Sequence, residues 1–107
     1  NNLEKLNIAQ KQIAVGRDIF LFNTEMQTIQ EDGEIDRLRK ALEDDNRIVE
    51  LRQRVRKAAE SQLVNGVIDT TDLLRKITDE TTANLNRSTH EIELLQAIYK
   101  LKTTLNQ

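Results

Sequence analysis

The sequence predicts an all-α protein, a long antiparallel helical hairpin of the coiled-coil type with arms of unequal length. Its 107 residues include no proline and only three glycines, so few positions can end a helix. Apolar residues recur at steps of three and four along most of the chain, which is the period of a helix rather than a strand. The one strong break lies at residues 63–74, around Asn65 and Gly66.

Composition narrows the classes of function. Aromatic residues make up 3% of the chain and charged residues 32%, which favours an elongated shape over a thick globular core. The formal net charge of -2 comes from interleaved signs, so we expect neither nucleic-acid binding nor contact with an anionic membrane. No apolar run approaches the roughly 18 residues of a membrane helix. We expect no cofactor.

The first helix is predicted over about residues 2–64. A turn signal at Asp32-Gly33 leaves an alternative open, a three-helix bundle broken near Gly33. We favour a continuous helix because apolar residues keep their phase across Gly33, and one glycine costs only about 1 kcal/mol relative to alanine. Apolar lines on this helix are Leu6, Ala9, Ile13 and Gly16; Phe22, Met26, Ile29 and Gly33; and Ile48, Leu51, Val55 and Ala58.

A basic cluster near the end of the first helix comprises Arg52, Arg54, Arg56 and Lys57. Acidic residues flank it at spacings of about one helical turn, including Glu50 and Glu60. No aromatic residues are interleaved, so single-stranded nucleic acid would find no stacking platform. This pattern predicts a solvated, salt-bridged face.

The break itself predicts a turn followed at once by a new helix. Asn and Gly tolerate positive φ and end a helix at low cost, which places the tip at residues 65–69. Asp69 or Thr70 can cap the next helix, and Asp72 adds negative charge to its first turn.

The second helix is predicted over about residues 70–105, with two apolar lines. The first, at heptad spacing, is Leu74, Thr78, Thr81, Leu85, Ser88, Ile92, Leu95 and Tyr99; the second is Leu94, Ile98, Leu101 and Leu105. Two lines on one helix imply two neighbours. One neighbour would be the first helix, and the other would come from outside the hairpin.

The unequal arms also predict association. At about 1.5 Å per residue the arms extend roughly 90 Å and 50 Å, so the second reaches back only to about residue 30. Six large apolar residues are then left without an internal partner: Ile13, Ile19, Phe20, Leu21, Phe22 and Met26. Each stabilises by about 1.5–3 kcal/mol when buried, so we expect a dimer or higher oligomer.

Catalytic chemistry is not predicted. His90 is the single histidine, and Glu91 and Glu93 beside it point in other directions on a helix, so we interpret it as a surface histidine without metal. Asp79 and Glu80 are interpreted as surface acids. Nothing in the sequence matches a phosphate loop or a nucleophile motif, and an enzyme is not expected.

The second half resembles the C-terminal helical hairpin of the TolC-like outer-membrane efflux proteins. The similarity lies in residues 58–74, AAESQLVNGVIDTTDLL, followed by a Leu-punctuated helix ending IELLQAIYKLKTTL. In that family an apolar residue, a glycine, a hydroxyl residue and an Asp-apolar-apolar triplet mark the turn at the periplasmic tip. The first arm matches only as a long charged helix.

The resemblance implies a segment of a periplasmic α-helical tunnel in a bacterial outer-membrane protein, a trimer in the intact parent. The tip residues Asn65, Gly66, Val67 and Ile68 would then contact a periplasmic adaptor protein and, through it, an inner-membrane pump. The opening Asn1-Asn2, without Met or a signal peptide, is what a piece of a longer precursor would show. The alternative is a free-standing coiled-coil scaffold that dimerises through residues 13–29.

Overall fold

The computed structural model describes all 107 residues and contains two α-helices, α1 (Asn2–Val64) and α2 (Thr70–Leu105), with no strand. The two pack antiparallel as an all-α hairpin, as the sequence predicted. The molecule measures 95 × 17 × 16 Å. Its length is that of α1 alone, since 63 residues at about 1.5 Å each span roughly 95 Å.

α1 is continuous through Gly33, so the three-helix alternative is wrong. The helix begins at the N-cap Asn1, whose side chain accepts a hydrogen bond from the Glu4 backbone N–H at 3.1 Å. Gly16 and Gly33 both lie inside the helix with open space where a Cβ would stand. Good helix formers on either side maintain the backbone hydrogen bonds through these positions.

The helices meet along a seam that repeats every seven residues. On α1 it comprises Glu31, Ile35, Leu38, Leu42, Asp45, Val49, Arg56, Ala59 and Leu63, all buried or half-buried. On α2 it comprises Leu73, Lys76, Glu80, Ala83, Arg87, His90, Leu94, Ala97, Leu101 and Thr104. Alternate steps of three and four keep one stripe of each helix facing the other.

The seam differs from the apolar lines that the sequence suggested. Ile48 and Ala58 each precede a seam residue by one and are exposed, Leu51 is also exposed, and Val55 is half-buried. On α2, the line from Leu74 to Tyr99 is exposed throughout, while Leu94 and Leu101 of the second line face α1. The true seam was hidden because about half of its residues are polar or charged.

α1 extends far beyond the end of α2. The last cross-helix hydrogen bond joins Thr104 to Glu31, and residues 1–23 are exposed without interruption. We call residues 2–26 the overhang. The predicted packing residues Ile13, Phe20, Phe22, Met26 and Ile29 are all 40–66% exposed within this chain. No helix here combines the length and apolarity that crossing a bilayer requires.

Candidate functional site

The tip is built by the hydrogen bonds that end α1. The Gly66 N–H donates to the Leu63 carbonyl at 3.0 Å, and the Val67 N–H donates to the Gln62 carbonyl at 2.8 Å. With Gly66 at a φ of +73°, these two bonds form a Schellman motif. The chain therefore reverses in a fixed conformation and presents the residues after Gly66 at the end of the molecule.

The tip residues predicted from the sequence lie together. Asn65, Gly66 and Val67 are exposed, whereas Ile68 is half-buried. Val64, which the prediction did not include, is the most exposed large apolar residue at 86%, and Val67 is 69% exposed. An apolar pair at the end of a solvated rod is typical of a contact surface rather than a free turn.

The start of α2 is fixed by a capping box. The Asp69 side chain accepts a hydrogen bond from the Asp72 backbone N–H at 2.8 Å, and the Asp72 side chain accepts one from the Asp69 N–H at 3.3 Å. Asp69 is the N-cap, and Thr70 is the first helical residue. Both acids also lie at the positive end of the helix dipole, which stabilises them there.

Polar pairs join the two helices along the seam. Arg56 donates to Glu80 at 2.5 Å, and the His90 ring lies 2.5 Å from the Asp45 carboxylate. The interpretation of His90 as a surface histidine is wrong, since its side chain is 30% exposed and that of Asp45 only 11%. Asp79 and Glu80 also face α1, where they pair with Arg52 and Arg56.

The pair of Arg56 and Glu80 shifts the pKa values of both side chains. The Arg56 guanidinium, by hydrogen bonding, lowers the pKa of the Glu80 carboxyl, and Glu80 and Glu60 together raise the pKa of Arg56. Three of the four residues of the basic cluster therefore have acidic partners, with Arg54 paired to Glu50 on the outer surface. This confirms the salt-bridged face predicted for residues 52–57.

Two apolar stripes lie outside the seam. The α2 stripe is the line Leu74, Thr78, Thr81, Leu85, Ser88, Ile92, Leu95 and Tyr99, whose large members are 57–73% exposed. The α1 stripe is Ala41, Ile48, Leu51, Val55 and Ala58, with Ile48 and Leu51 at 45% and 56%. Ile98, predicted to pack, lies beside the α2 stripe and is 39% exposed.

The stripes face opposite sides of the hairpin. Each α1 stripe residue except Leu51 precedes a seam residue by one, whereas several α2 stripe residues follow one, and one residue is a rotation of about 100°. In two antiparallel helices, steps of opposite sign lead to opposite sides of the plane that contains both axes. Each hairpin thus has one apolar stripe outside the seam on either side.

A polar cavity of about 390 Å³ opens where α2 ends. It is lined by Gln27, Gln30, Glu31, Glu34, Ala97 and Lys100. It lies on the same side as the α1 stripe. Sequence reasoning did not find it, although a buried Glu31 is signalled by its place in the seven-residue repeat that continues from Leu38 and Ile35.

The structure contains no cluster of three or more His, Cys, Asp or Glu side chains arranged to hold a metal ion. Comparison with protein-family models, with curated proteins and with solved structures finds no match to this chain. The surfaces that remain as candidates for function are the tip, the two stripes, the cavity and the overhang.

Proposed function

We propose that this hairpin is a wall segment of a TolC-like periplasmic tunnel in an outer-membrane efflux or secretion channel, with its tip against a periplasmic adaptor protein. The observation that carries the proposal is the pair of apolar stripes on opposite sides of the hairpin. A free two-helix hairpin requires only its seam. A helix in the wall of a ring must also contact a neighbour on its outer side.

The stripes extend along the same part of the rod. Residues that pair across the seam have numbers that add to 135 or 136, as for Glu31 with Thr104, Asp45 with His90 and Arg56 with Glu80. By that rule α1 residues 41–58 lie at the height of α2 residues 78–95. Hairpins that stand side by side in a closed ring meet at equal heights. The α2 stripe of one hairpin would therefore pack on the α1 stripe of the next.

The tip supports contact with an adaptor. Val64 and Val67 project at the end of the rod, and the capping box and Schellman motif hold their backbone in place. A preorganised apolar end loses little conformational freedom on binding. Through the adaptor the channel would reach an inner-membrane pump, while this segment itself stays in the periplasm as part of an outer-membrane trimer.

The test uses the full-length parent in its bacterial host. Val67→Asp and Gly66→Trp at the tip are expected to abolish adaptor cross-linking and drug resistance while channel abundance and trimer formation persist. Lys40→Asp, on the exposed outer face of α1, is the matched control and should leave resistance intact. Resistance that survives both tip changes would refute the adaptor contact.

A free-standing coiled-coil scaffold is the second candidate. It is favoured by the overhang, where Phe20 and Phe22 are 52% and 59% exposed on different sides of the helix. In a scaffold these residues would form the dimer, and the tip would be a connector tolerant of substitution. Drug resistance that persists with Val67→Asp, together with dimer formation that is lost with Phe20→Glu, would favour the scaffold.

A further inference from the structure

The cavity at the end of α2 contains a buried carboxylate that is only partly satisfied. Glu31 is 7% exposed. Its Oε1 accepts hydrogen bonds from Gln27 Nε2 at 3.1 Å and from Thr104 Oγ1 at 2.9 Å, whereas its buried Oε2 has no partner. Leaving such an oxygen unpaired is costly, and native structures nearly always provide a donor.

The other groups of the cavity do not supply that donor. Glu34 is held by Arg37, whose Nε and Nη2 donate to its two oxygens at 2.9 and 2.6 Å. Lys100 also lines the cavity, but its ammonium nitrogen is more than 4.0 Å from every carboxylate oxygen. The free acceptor is therefore Glu31 Oε2, and an ammonium group, with three donors and a positive charge, is its natural complement.

The α2 stripe continues into a lysine at the right height. Its positions repeat every seven residues through Leu74, Thr81, Ser88 and Leu95, and the next position is Lys102. Lys102 is exposed and forms no ion pair within its own chain. By the pairing rule it lies at the height of residues 33–34, level with the cavity, but on the opposite side of the hairpin.

We propose that Lys102 of a second copy of this chain enters the cavity and donates to Glu31 Oε2 when the α2 stripe of one copy packs on the α1 stripe of the next. The ammonium group of Lys102 would lie beside the acidic residues at the opening of the cavity, and its methylene chain would cover Ala97. The contact is heterologous, so each copy contributes a lysine on one side and a cavity on the other.

The residues at equal heights along this contact are complementary. Leu95 falls opposite Ala41 and Ile48 opposite Ser88, so large side chains face small ones there, as close packing of two helices requires. Thr81 falls opposite Val55, a side chain of similar size. Tyr99 falls opposite Arg37, where an aromatic face can receive a guanidinium. The contact is independent of transport and would hold in a tunnel or in a scaffold.

Disulfide mapping tests the register, because the chain has no cysteine of its own. Ile48→Cys with Ser88→Cys places thiols at equal heights on opposite sides, where they can join only between copies. Oxidation of the dilute protein is expected to give covalent dimers and higher oligomers, well above either single variant. Ile48→Cys with Leu74→Cys, about 14 residues out of step or roughly 21 Å, is the matched control and should not cross-link more than the singles.

Charge variants test the lysine itself by sedimentation equilibrium. Lys102→Glu and Glu31→Gln should each weaken self-association by at least about tenfold, as breaking a buried charge pair does, while helicity is unchanged. Lys40→Glu on the outer face and Lys100→Gln in the same cavity should leave the association constant within about twofold, as changes at the rim of an interface do. The double variant Glu31→Lys with Lys102→Glu should recover part of the loss.

Three outcomes would overturn the proposal. The wild-type chain could remain a monomer at high concentration, the mismatched cysteine pair could cross-link as well as the matched pair, or Lys100→Gln could reproduce the loss expected of Lys102→Glu. The last result would mean that Glu31 finds its donor within its own chain. None of them would bear on the adaptor contact at the tip, which is tested separately.

Discussion

Gly66 is the only residue of the chain with a positive φ. An L-residue with a Cβ pays about 1–2 kcal/mol in that conformation, so we expect Gly66→Ala to lower the free energy of unfolding by about 1 kcal/mol. Urea denaturation at low protein concentration measures the change. Gly33→Ala is the control with the opposite sign, because Gly33 is inside α1 with open space around it and alanine should stabilise by up to about 1 kcal/mol.

Glu80 makes stability depend on acid pH. Its pKa is lowered below the ordinary value of 4.5, chiefly by the hydrogen bond from Arg56. A folded-state pKa below the unfolded one means that the ion pair stabilises the hairpin above about pH 4.5 and that this contribution is lost as pH falls through the folded pKa. Melting temperatures between pH 7 and pH 3 should therefore vary less in Glu80→Gln than in wild type.

Glu34→Gln is the matched control for that experiment. The pKa of Glu34 is also lowered, by its hydrogen bond from Arg37, but the two residues lie three apart on the exposed surface of one helix. Surface pairs within a helix contribute little, so most of the acid sensitivity should remain in this variant. Equal effects of the two substitutions would mean that Glu80 does not help to join the helices.

Among individual residues, the sequence best predicted those whose hydrogen bonds are to residues nearby in the chain. Asp69, Asp72 and Gly66 act through bonds to residues at most four positions away, so their roles follow from local spacing. His90 and Glu80 were misplaced on the surface, since their partners Asp45 and Arg56 lie 45 and 24 residues away. Such partners become visible only when the register of the two helices is known.

At the scale of the helices, the main feature is a seam with charged residues inside it. A half-buried polar pair often stabilises less than an apolar pair of similar size, so Asp45→Leu with His90→Leu is expected to raise the free energy of unfolding by about 1 kcal/mol. Asp45→Leu alone should lower it, because His90 loses its acceptor. Urea denaturation distinguishes these cases.

A surface pair provides the comparison for this double substitution. Glu50→Leu with Arg54→Leu removes an exposed pair on α1 and should change the free energy of unfolding by at most about 0.5 kcal/mol. If the Asp45 and His90 double variant proved less stable than wild type, the polar pair would be a net source of stability, contrary to the expectation.

Helix limits were predictable, whereas the inward face of each helix was not. Both helices begin and end where the caps and the Asn-Gly break place them. Apolar periodicity gives the period of a helix but not the identity of its neighbour, and here the more apolar lines face outward. The seam instead contains Glu31 and the long side chains Arg56, Lys76, Glu80 and Arg87, which can cover apolar surface with their stems while their charged ends pair or reach water.

For the whole molecule, the overhang carries large apolar side chains that α2 does not cover. Phe20→Glu with Phe22→Glu places two charges on its apolar surface and is expected to weaken self-association in sedimentation velocity. The urea midpoint of the dilute hairpin should not change, since these residues do not contact α2. Asn7→Glu with Asn23→Glu is the control of equal charge on polar positions.

Association that is insensitive to the charges at Phe20 and Phe22 would place the contact elsewhere along the rod. The expectation of an outside partner rests on the lengths of the two helices and on the positions of the apolar residues, both of which the sequence provides. The polar cavity, and the fact that Lys102 lies at the same height along the rod, could not be predicted from the sequence. Both depend on the register of the two helices.

The nested pairing around one tip also bears on how the chain folds. Leu63 and Leu73 enclose a loop of only nine residues, so the first contacts close quickly, and each later pair extends the seam outward at a small further cost in loop entropy. Folding should therefore proceed like a zipper from the tip, and thermal opening should begin at the far end, near Thr104. Within the paired part of the hairpin, a protease would then find its earliest sites around the last turn of α2 and the adjoining stretch of α1, while amide protons near Ala59 exchange last.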